Sequence, residues 1–121
     1  MEKKKTLVIG ASEKEERYSN KAILMLQEYE HPIVAYGNRK GEVNNTPITT
    51  DFPTETDFDT VTLYLGPQNQ PDFYDKIVAL KPKRVIFNPG TENEDFQQFL
   101  IENGIEYEEA CTLVLLRSGQ Y

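Results

Sequence analysis

Residues 6–12 read TLVIGAS, a short apolar run that ends in a turn of small residues. Four residues that are β-branched or apolar, followed by a glycine, predict a buried strand that leads into a tight turn. After the turn, residues 19–30 carry apolar side chains at the spacing of one helix face. A strand, a turn and a helix in this order form the first unit of a sheet of parallel strands.

The same alternation of strands and helices continues along the chain. Further strands are predicted at residues 33–36, 60–65, 84–87 and, from a weaker pattern, 106–109, and helices at residues 72–80 and 94–103. The apolar strands show little polar alternation, as expected when helices cover both faces of a sheet. The chain is therefore expected to be one Rossmann-like α/β domain over residues 1–121, with a mostly parallel five-stranded sheet and helices on both faces.

Three local features complete this prediction. Residues 41–59 show no helical stripe, so they are interpreted as a long connection that holds at most a short hairpin or a helical turn. Residues 111–116 are apolar and fit either a last strand or a closing helix. Ser19 or Asn20 is expected to cap the first helix, and Gly104 to form the left-handed end of the third.

The composition narrows the classes of function. A net charge of −7 on 121 residues argues against nucleic-acid binding, because phosphate backbones are held by basic surfaces. No apolar run is long enough for a bilayer span or a signal-peptide core. The lone Cys111 cannot form an internal disulfide, which fits a reducing compartment. We expect a cytoplasmic protein that binds a small molecule and neither a membrane nor nucleic acid.

The turn formed by Gly10, Ala11 and Ser12 is the first candidate binding element. Ligands of parallel sheets collect at the carboxyl ends of the strands where the winding reverses, normally just after the first strand. Gly10 permits close approach of a phosphate, and Ser12 and the free N–H groups at the start of the helix can donate hydrogen bonds to it. The alternative is a turn of small residues that is needed only for packing.

The turn after the second strand points to the kind of nucleotide. Proteins that bind NAD usually place an acid there, which accepts hydrogen bonds from the ribose hydroxyls. This chain has Asn38, Arg39 and Lys40 instead, and the two cations suit a phosphate on the ribose. Arg17 adds a third cation near the same place. The ligand is therefore expected to be coenzyme A or NADP, unless these cations are merely solvated turn residues.

Five segments follow one another along nearly the whole chain: GASEKEERYSN (10–20), GNRKGE (37–42), the turn at residues 65–67, NPGTENE (88–94) and Cys111. Together they resemble the small coenzyme A-binding protein family, whose members are similar to the nucleotide-binding domain of the succinyl-coenzyme A synthetase α subunit. The chain departs from the family pattern at Gly37-Asn38-Arg39, where Val-Asn-Pro is common, at Asn88, where Gln is common, and in the acidic loop 13–16.

The resemblance implies a set of ligand-binding residues. The adenosine-phosphate half of coenzyme A would lie along the first turn, the loop at Arg17 and the second-strand turn. The turn at residues 65–67 would lie by the adenine, and Gly90 would face the rest of the cleft. The implied residues are Gly10, Ala11, Ser12, Arg17, Tyr18, Ser19, Asn38, Arg39, Lys40, Leu65, Gly66, Pro67 and Gly90.

No reaction comes with the resemblance. His31 is expected to be a solvated loop histidine and Cys111 a small buried hydrophobic residue, and no group of residues has metal-ligand spacing. The leading hypothesis is a non-catalytic protein that carries or senses coenzyme A or an acyl derivative. One alternative is an NADP-binding redox protein or sensor. Another is an interaction subunit with a vestigial cleft, which pairs with a partner or a second copy through a strand edge.

Overall fold

The structure, a computed structural model, describes residues 2–121. The strands are β1 (Thr6–Ile9), β2 (Ile33–Tyr36), β3 (Gly41–Val43), β4 (Thr46–Thr49), β5 (Thr60–Leu63), β6 (Arg84–Phe87) and β7 (Glu106–Glu109). The α-helices are α1 (Tyr18–Glu28), α2 (Tyr74–Ala79), α3 (Glu94–Glu102) and α4 (Thr112–Arg117). Two 3₁₀ turns, Pro67–Asn69 and Pro71–Phe73, precede α2.

The strands form one sheet in the order β3-β4-β2-β1-β5-β6-β7. All neighbouring pairs are parallel except β3 with β4. Thr6 at the start of β1 pairs with Ile33 on one side and with Thr60 on the other. The winding therefore reverses at β1, and the loops that follow β1, β2 and β5 meet at one edge of the sheet.

Helices cover both faces of the sheet, as predicted. Leu7 and Ile9 of β1 face a core that α2 and α3 complete, for example through Ile77 and Phe96. Val8 points to the opposite core, which is completed by α1 and α4. Alternate residues of one strand are thus buried against different helices, which explains why the strand sequences show no polar alternation.

The sheet has seven strands within residues 2–121, so the prediction of five is wrong. The two extra strands lie in the segment 41–59, where β3 and β4 form a hairpin around Asn44 and Asn45. Both asparagines have positive φ, 46° and 74°, as a two-residue hairpin turn of this hand requires. β4 also pairs in parallel with β2 and so extends the sheet.

The element ends show smaller differences from the prediction. Arg17 is the N-cap of α1 and makes no side-chain cap, so the expected cap by Ser19 or Asn20 is wrong. Of the two alternatives for residues 111–116, a strand or a helix, the structure shows a helix, α4. Gly104 follows α3 with φ of 73°, which confirms the left-handed helix end.

His31 is buried, with 4 % of its surface exposed, so the expectation of a solvated histidine is wrong. Its Nδ1 accepts a hydrogen bond from the backbone N–H of Lys4 at 3.0 Å, and its ring lies 4.9 Å from that of Tyr121. Tyr121 is 90 positions away in the sequence, and local patterns therefore cannot predict this contact. Within residues 2–121, no helix combines the length and the apolar character that a bilayer crossing needs.

Candidate functional site

A cavity of about 700 Å³ opens at the edge of the sheet where β1, β2 and β5 end. Three segments form its walls: the first turn with the loop behind it, the turn after β2, and the stretch from the end of β5 to the second 3₁₀ turn. The lining residues are Ile9, Gly10, Ala11, Ser12, Glu13, Lys14, Arg17, Tyr36, Gly37, Asn38, Arg39, Tyr64, Leu65, Gln68, Asn69, Pro71, Asp72 and Phe73. The cavity therefore lies at the predicted position, where the winding of the sheet reverses.

The first turn is fixed by the strands on either side of it. The backbone N–H groups of Gly10 and Ala11 both donate to the carbonyl of Tyr36, at 2.9 and 3.0 Å. Gly10 has φ of 94°, and a Cβ at this position would lie 2.9 Å from the carbonyl oxygen of Tyr64. A side chain is thus excluded both by the backbone conformation and by space, which leaves only glycine.

The start of α1 offers hydrogen-bond donors next to this turn. The side chain of Asn20 donates to the carbonyl of Ser12 at 3.0 Å and so holds the turn against the helix. The backbone N–H groups of Tyr18 and Ser19 donate to no other group among residues 2–121. The first turn of α1 contains no acidic residue. The start of this helix therefore presents free N–H donors and carries no carboxylate in its first turn.

Three cations line the cavity: Lys14, Arg17 and Arg39. All three are exposed, and their side chains make no ion pair or hydrogen bond with any of residues 2–121. Two carboxylates, Glu13 and Asp72, also line the cavity. Cations without a partner around a cavity are well suited to hold an anionic group.

The turn after β2 packs directly on the first turn. A Cβ on Gly37 would lie 2.5 Å from the carbonyl oxygen of Ala11, so this position also requires glycine. In the loop that follows the first turn, the carboxylate of Glu13 accepts a hydrogen bond from the backbone N–H of Glu42 at 3.0 Å. Its carboxyl carbon occupies the space where Gly41 would carry a side chain. The two turns thus meet at two places and form one wall of the cavity.

Aromatic rings form a second wall. The ring of Tyr36 lies 5.1 Å from that of Phe52 and 5.6 Å from that of Phe73, in edge-to-face arrangements. Tyr36 and Phe73 line the cavity, and the ammonium of Lys76 lies 5.5 Å above the ring of Phe73. Rings at the border of a nucleotide site can stack on a base. No sequence motif predicted this wall.

Tyr64, the residue after β5, is a half-buried wall residue whose hydroxyl is buried. Its hydroxyl hydrogen-bonds to no group among residues 2–121, while the nearby hydroxyls of Thr62 and Thr112 bond to each other at 2.8 Å. Burial raises the pKa of the Tyr64 phenol well above its usual value, and the two threonine hydroxyls oppose this shift. The phenol therefore stays neutral at physiological pH.

Gln70 connects the loops at the far side of the cavity. Its side-chain amide is 1 % exposed and donates to the carbonyls of Leu65 and Thr91, both at 2.8 Å. Its oxygen accepts from the side chain of Asn93, the N-cap of α3, at 2.9 Å. The predicted turn at residues 65–67 is therefore anchored to the loop after β6 by one buried side chain.

The cavity brings together about half of the residues that the resemblance implied. Gly10, Ala11, Ser12, Arg17, Asn38, Arg39 and Leu65 line it. The lining does not include Tyr18, Ser19, Lys40, Gly66, Pro67 and Gly90. Tyr18 is 67 % exposed and Ser19 is buried at the start of α1, whereas Gly90 donates its backbone N–H to Glu92 at 2.9 Å. For all thirteen residues, ligand contact stays a prediction.

Several lining residues were not predicted from the sequence, among them Lys14, Tyr36, Tyr64 and Phe73. Tyr36 ends β2 and Tyr64 follows β5, so their positions at strand ends were a usable signal. Phe73 reaches the cavity through a 3₁₀ turn that the helical pattern did not reveal. Cys111 is half-buried at the N-cap of α4, and not fully buried as expected.

No three His, Cys, Asp or Glu side chains group as metal ligands within residues 2–121. The lining instead combines backbone N–H donors, three unpaired cations and aromatic rings. This arrangement can hold an anion next to a flat ring system.

Solved structures support the fold. The chain is similar over its whole length to the crystal structure of an uncharacterized protein, with 47 % identity, full coverage of both chains and a TM-score of 0.97. A Thermus thermophilus protein has 20 % identity and a TM-score of 0.82, with 98 % of this chain and 91 % of the other covered. A hypothetical protein from Pyrococcus horikoshii has 22 % identity and a TM-score of 0.80, with 95 % and 83 % covered.

A search of curated proteins found no match. The sequence profile of the family described as CoA binding domain matches residues 4–117, nearly the whole chain. The resemblance drawn from the sequence motifs is thereby confirmed, and this chain belongs to the CoA binding domain family.

Proposed function

We propose that this protein binds coenzyme A at the cavity beyond β1, through the adenosine-phosphate half of the ligand, and catalyses no reaction on it. The observation that carries the proposal is the set of unpaired cations, Lys14, Arg17 and Arg39, around a cavity next to the uncapped start of α1. Coenzyme A carries a pyrophosphate and a ribose phosphate, and each is an anion that such donors recognise.

The proposed roles follow the walls of the cavity. The pyrophosphate lies between Ser12, the start of α1 and Arg17. The ribose phosphate lies at the turn after β2, by Arg39 and Lys40. The adenine lies toward the turn at residues 65–67, next to the aromatic wall, and Gly90 faces the remainder of the cleft. The cavity volume of about 700 Å³ falls in the range of sites for small molecules.

The turn after the second strand supports a phosphorylated ribose. An acid at the end of this strand selects the free hydroxyls of NAD, and Asn38 stands there in this chain. Gly37 packs closely against Ala11. The exposed side chain of Arg39, in the same turn, lines the cavity. The ribose phosphate of NADP would meet the same cations, and the test must therefore separate the two ligands.

Thermal unfolding in the presence of four ligands tests the proposal. A ligand that binds only the folded chain stabilises it by about 2.7 kcal/mol when its concentration is 100 times Kd. Coenzyme A should raise the Tm, and NADH should not. A rise with NADPH alone would replace the proposal by an NADP-dependent redox role. If neither coenzyme A nor dephospho-coenzyme A has an effect, the binding proposal is wrong.

The non-catalytic part of the proposal has a separate test. Within residues 2–121, the Ser12 hydroxyl oxygen accepts the backbone N–H of Lys14 at 3.1 Å and hydrogen-bonds to no side chain that could act as its general base. Acetyl-coenzyme A incubated with the protein should therefore be recovered intact by mass spectrometry. Protein-dependent loss of the acetyl group would contradict this part of the proposal and leave the binding site in place.

A further inference from the structure

The carboxylate of Glu13, in the loop that follows the first turn, contacts the end of the turn after β2. One oxygen of Glu13 accepts from the backbone N–H of Glu42 at 3.0 Å, and its carboxyl carbon rests against Gly41. Glu13 lines the same cavity as Arg39. A negative charge is therefore built into the wall at the place where the second-strand turn presents its cations.

This position has a chemical meaning in sheets of this kind. An acid at the end of the second strand accepts hydrogen bonds from ribose hydroxyls and disfavours a ribose phosphate. The sequence has Asn38 at that point, but the fold supplies a carboxylate from another loop. Glu13 makes no ion pair with Arg39 or Lys40 in the described structure, so neither charge cancels the other by direct contact.

We propose that Glu13 sets the selectivity of the site for the ribose, because its charge lowers the preference for a ribose that carries a phosphate. Arg39 and Lys40 attract the phosphate, and Glu13 repels it while it offers an acceptor to a free hydroxyl. This inference rests on the proposed function and adds the residue that tunes it. The wild-type protein therefore discriminates less between coenzyme A and dephospho-coenzyme A than its cations alone would allow.

The comparison of these two ligands isolates the effect, because dephospho-coenzyme A lacks only the ribose phosphate. Glu13→Gln removes the charge and keeps a side-chain oxygen that can accept from Glu42. Like charges separated by several ångströms near a surface repel enough to change affinity about five- to tenfold. The variant should thus raise the affinity ratio of coenzyme A to dephospho-coenzyme A by about five- to tenfold, mostly through tighter coenzyme A binding.

Glu15→Gln is the matched control. Glu15 is an exposed acid of the same loop, lies outside the cavity lining and contributes the same net charge. Isothermal titration of both ligands should show the same affinity ratio for Glu15→Gln and for the wild type. An equal rise of the ratio in both variants would mean that only overall charge matters, and that result would overturn the inference.

Glu13→Ala separates the charge from the contact with the β3 strand. A charge effect predicts that Glu13→Ala and Glu13→Gln both raise the ratio. If only Glu13→Ala changes it, the side chain acts as a spacer between the turns, and the inference is wrong. If the wild type binds coenzyme A but Glu13→Gln leaves the ratio unchanged, the inference fails while the proposed function stands. If the wild type binds neither ligand, the proposed function fails and the inference with it.

Discussion

The α carbon of Gly37 lies against the carbonyl oxygen of Ala11, so closely that a Cβ on Gly37 would come within 2.5 Å of that oxygen. The same hypothetical Cβ would lie 3.1 Å from a methyl group of Ile48 in β4. The first turn, the second-strand turn and the hairpin thus meet at one glycine. The spacing of the two turns, which sets the width of the proposed phosphate site, depends on this contact.

Gly37→Ala should lower both stability and affinity. The added methyl group meets a backbone oxygen that is itself fixed in the first turn, and overpacking of this kind costs about 1–3 kcal/mol. The turns must move apart, so that coenzyme A should bind about tenfold more weakly, which corresponds to about 1.4 kcal/mol. Denaturant unfolding and titration calorimetry measure the two effects.

Gly104→Ala provides the control for a general loss of stability. Gly104 has φ of 73° with open space around its α carbon and lies far from the cavity lining. The variant should lose about 1–2 kcal/mol through backbone strain, with coenzyme A affinity unchanged. Equal losses of affinity in the two glycine variants would show that the contact with Ala11 has no particular role.

Arg39→Gln and Arg17→Gln should separate the two phosphate positions. Hydrogen bonds to charged groups contribute about 1.5–3 kcal/mol, so each variant should weaken coenzyme A binding by about tenfold or more. For Arg39→Gln the loss should nearly vanish with dephospho-coenzyme A, since the ribose phosphate is absent. For Arg17→Gln both ligands should lose affinity equally.

Lys21→Gln is the charge-matched control for these two variants. Lys21 is an exposed cation of α1 outside the cavity lining. Its replacement should leave both affinities unchanged apart from a small effect of net charge. A loss with dephospho-coenzyme A as large as that with coenzyme A would contradict the position proposed for Arg39.

The parts of the fold that local sequence determines were predicted well. β1, β2 and β6 have the predicted bounds because each is a short apolar or β-branched run next to turn residues. β7 also has the predicted bounds, although its sequence, EYEE, is mostly acidic. For residues 41–59 the sequence allowed a short hairpin or a helical turn, but it did not identify β3 and β4 as strands of the sheet. Its strands are short, one contains Pro47, and β4 is held in the sheet by pairing with β2, a contact that no local pattern records.

The site was predictable where it depends on turns that follow strands. Gly10 to Ser12 and Arg39 line the cavity because the carboxyl ends of parallel strands meet at one edge. The aromatic wall and the position of Glu13 depend on side chains from loops far apart in sequence. Phe52 and Phe73, for example, meet Tyr36 only after the sheet has assembled. Such contacts are products of tertiary packing.

His31 should make stability fall as the pH is lowered. Burial, followed by the nearby positive charges of Lys3 and Lys4, lowers the pKa of its imidazole in the folded chain. In the unfolded chain the pKa is near 6.5. Above that value both states hold a neutral ring and no pH dependence arises. Below it the unfolded chain takes up the proton first, so the free energy of unfolding falls, by at most about 1.4 kcal/mol per pH unit.

His31→Asn removes this titration and keeps an acceptor for the backbone N–H of Lys4. Denaturant unfolding between about pH 7.5 and pH 5.5 should show a smaller decrease for the variant than for the wild type. Carboxylates contribute equally to both proteins, so the difference between the two curves isolates the histidine. Parallel curves would show that His31 takes up its proton in the folded chain as readily as in the unfolded one.

Asn88 should be the most sensitive polar residue behind the cavity. Its amide is 2 % exposed and donates to the hydroxyl of Thr62 at 2.7 Å and to the carbonyl of Leu63 at 2.9 Å. Its oxygen accepts from the backbone N–H of Thr112, the first residue of α4, at 2.9 Å. One side chain thus joins β5, the end of β6 and the start of the last helix.

Asn88→Ala removes all three hydrogen bonds, although the Thr62 hydroxyl keeps its bond to the Thr112 hydroxyl, so the variant should cost about 2–4 kcal/mol of unfolding free energy. Asn103→Ala removes an exposed amide that bonds to the carbonyl of Phe99, and it should cost about 0.5 kcal/mol or less. Hydrogen exchange adds a local readout, because the amide of Thr112 should lose protection in Asn88→Ala more than the amides of β1 do. If Thr112 stays as protected as β1, another contact holds the start of α4, and Asn88 serves only to fill space between the strands.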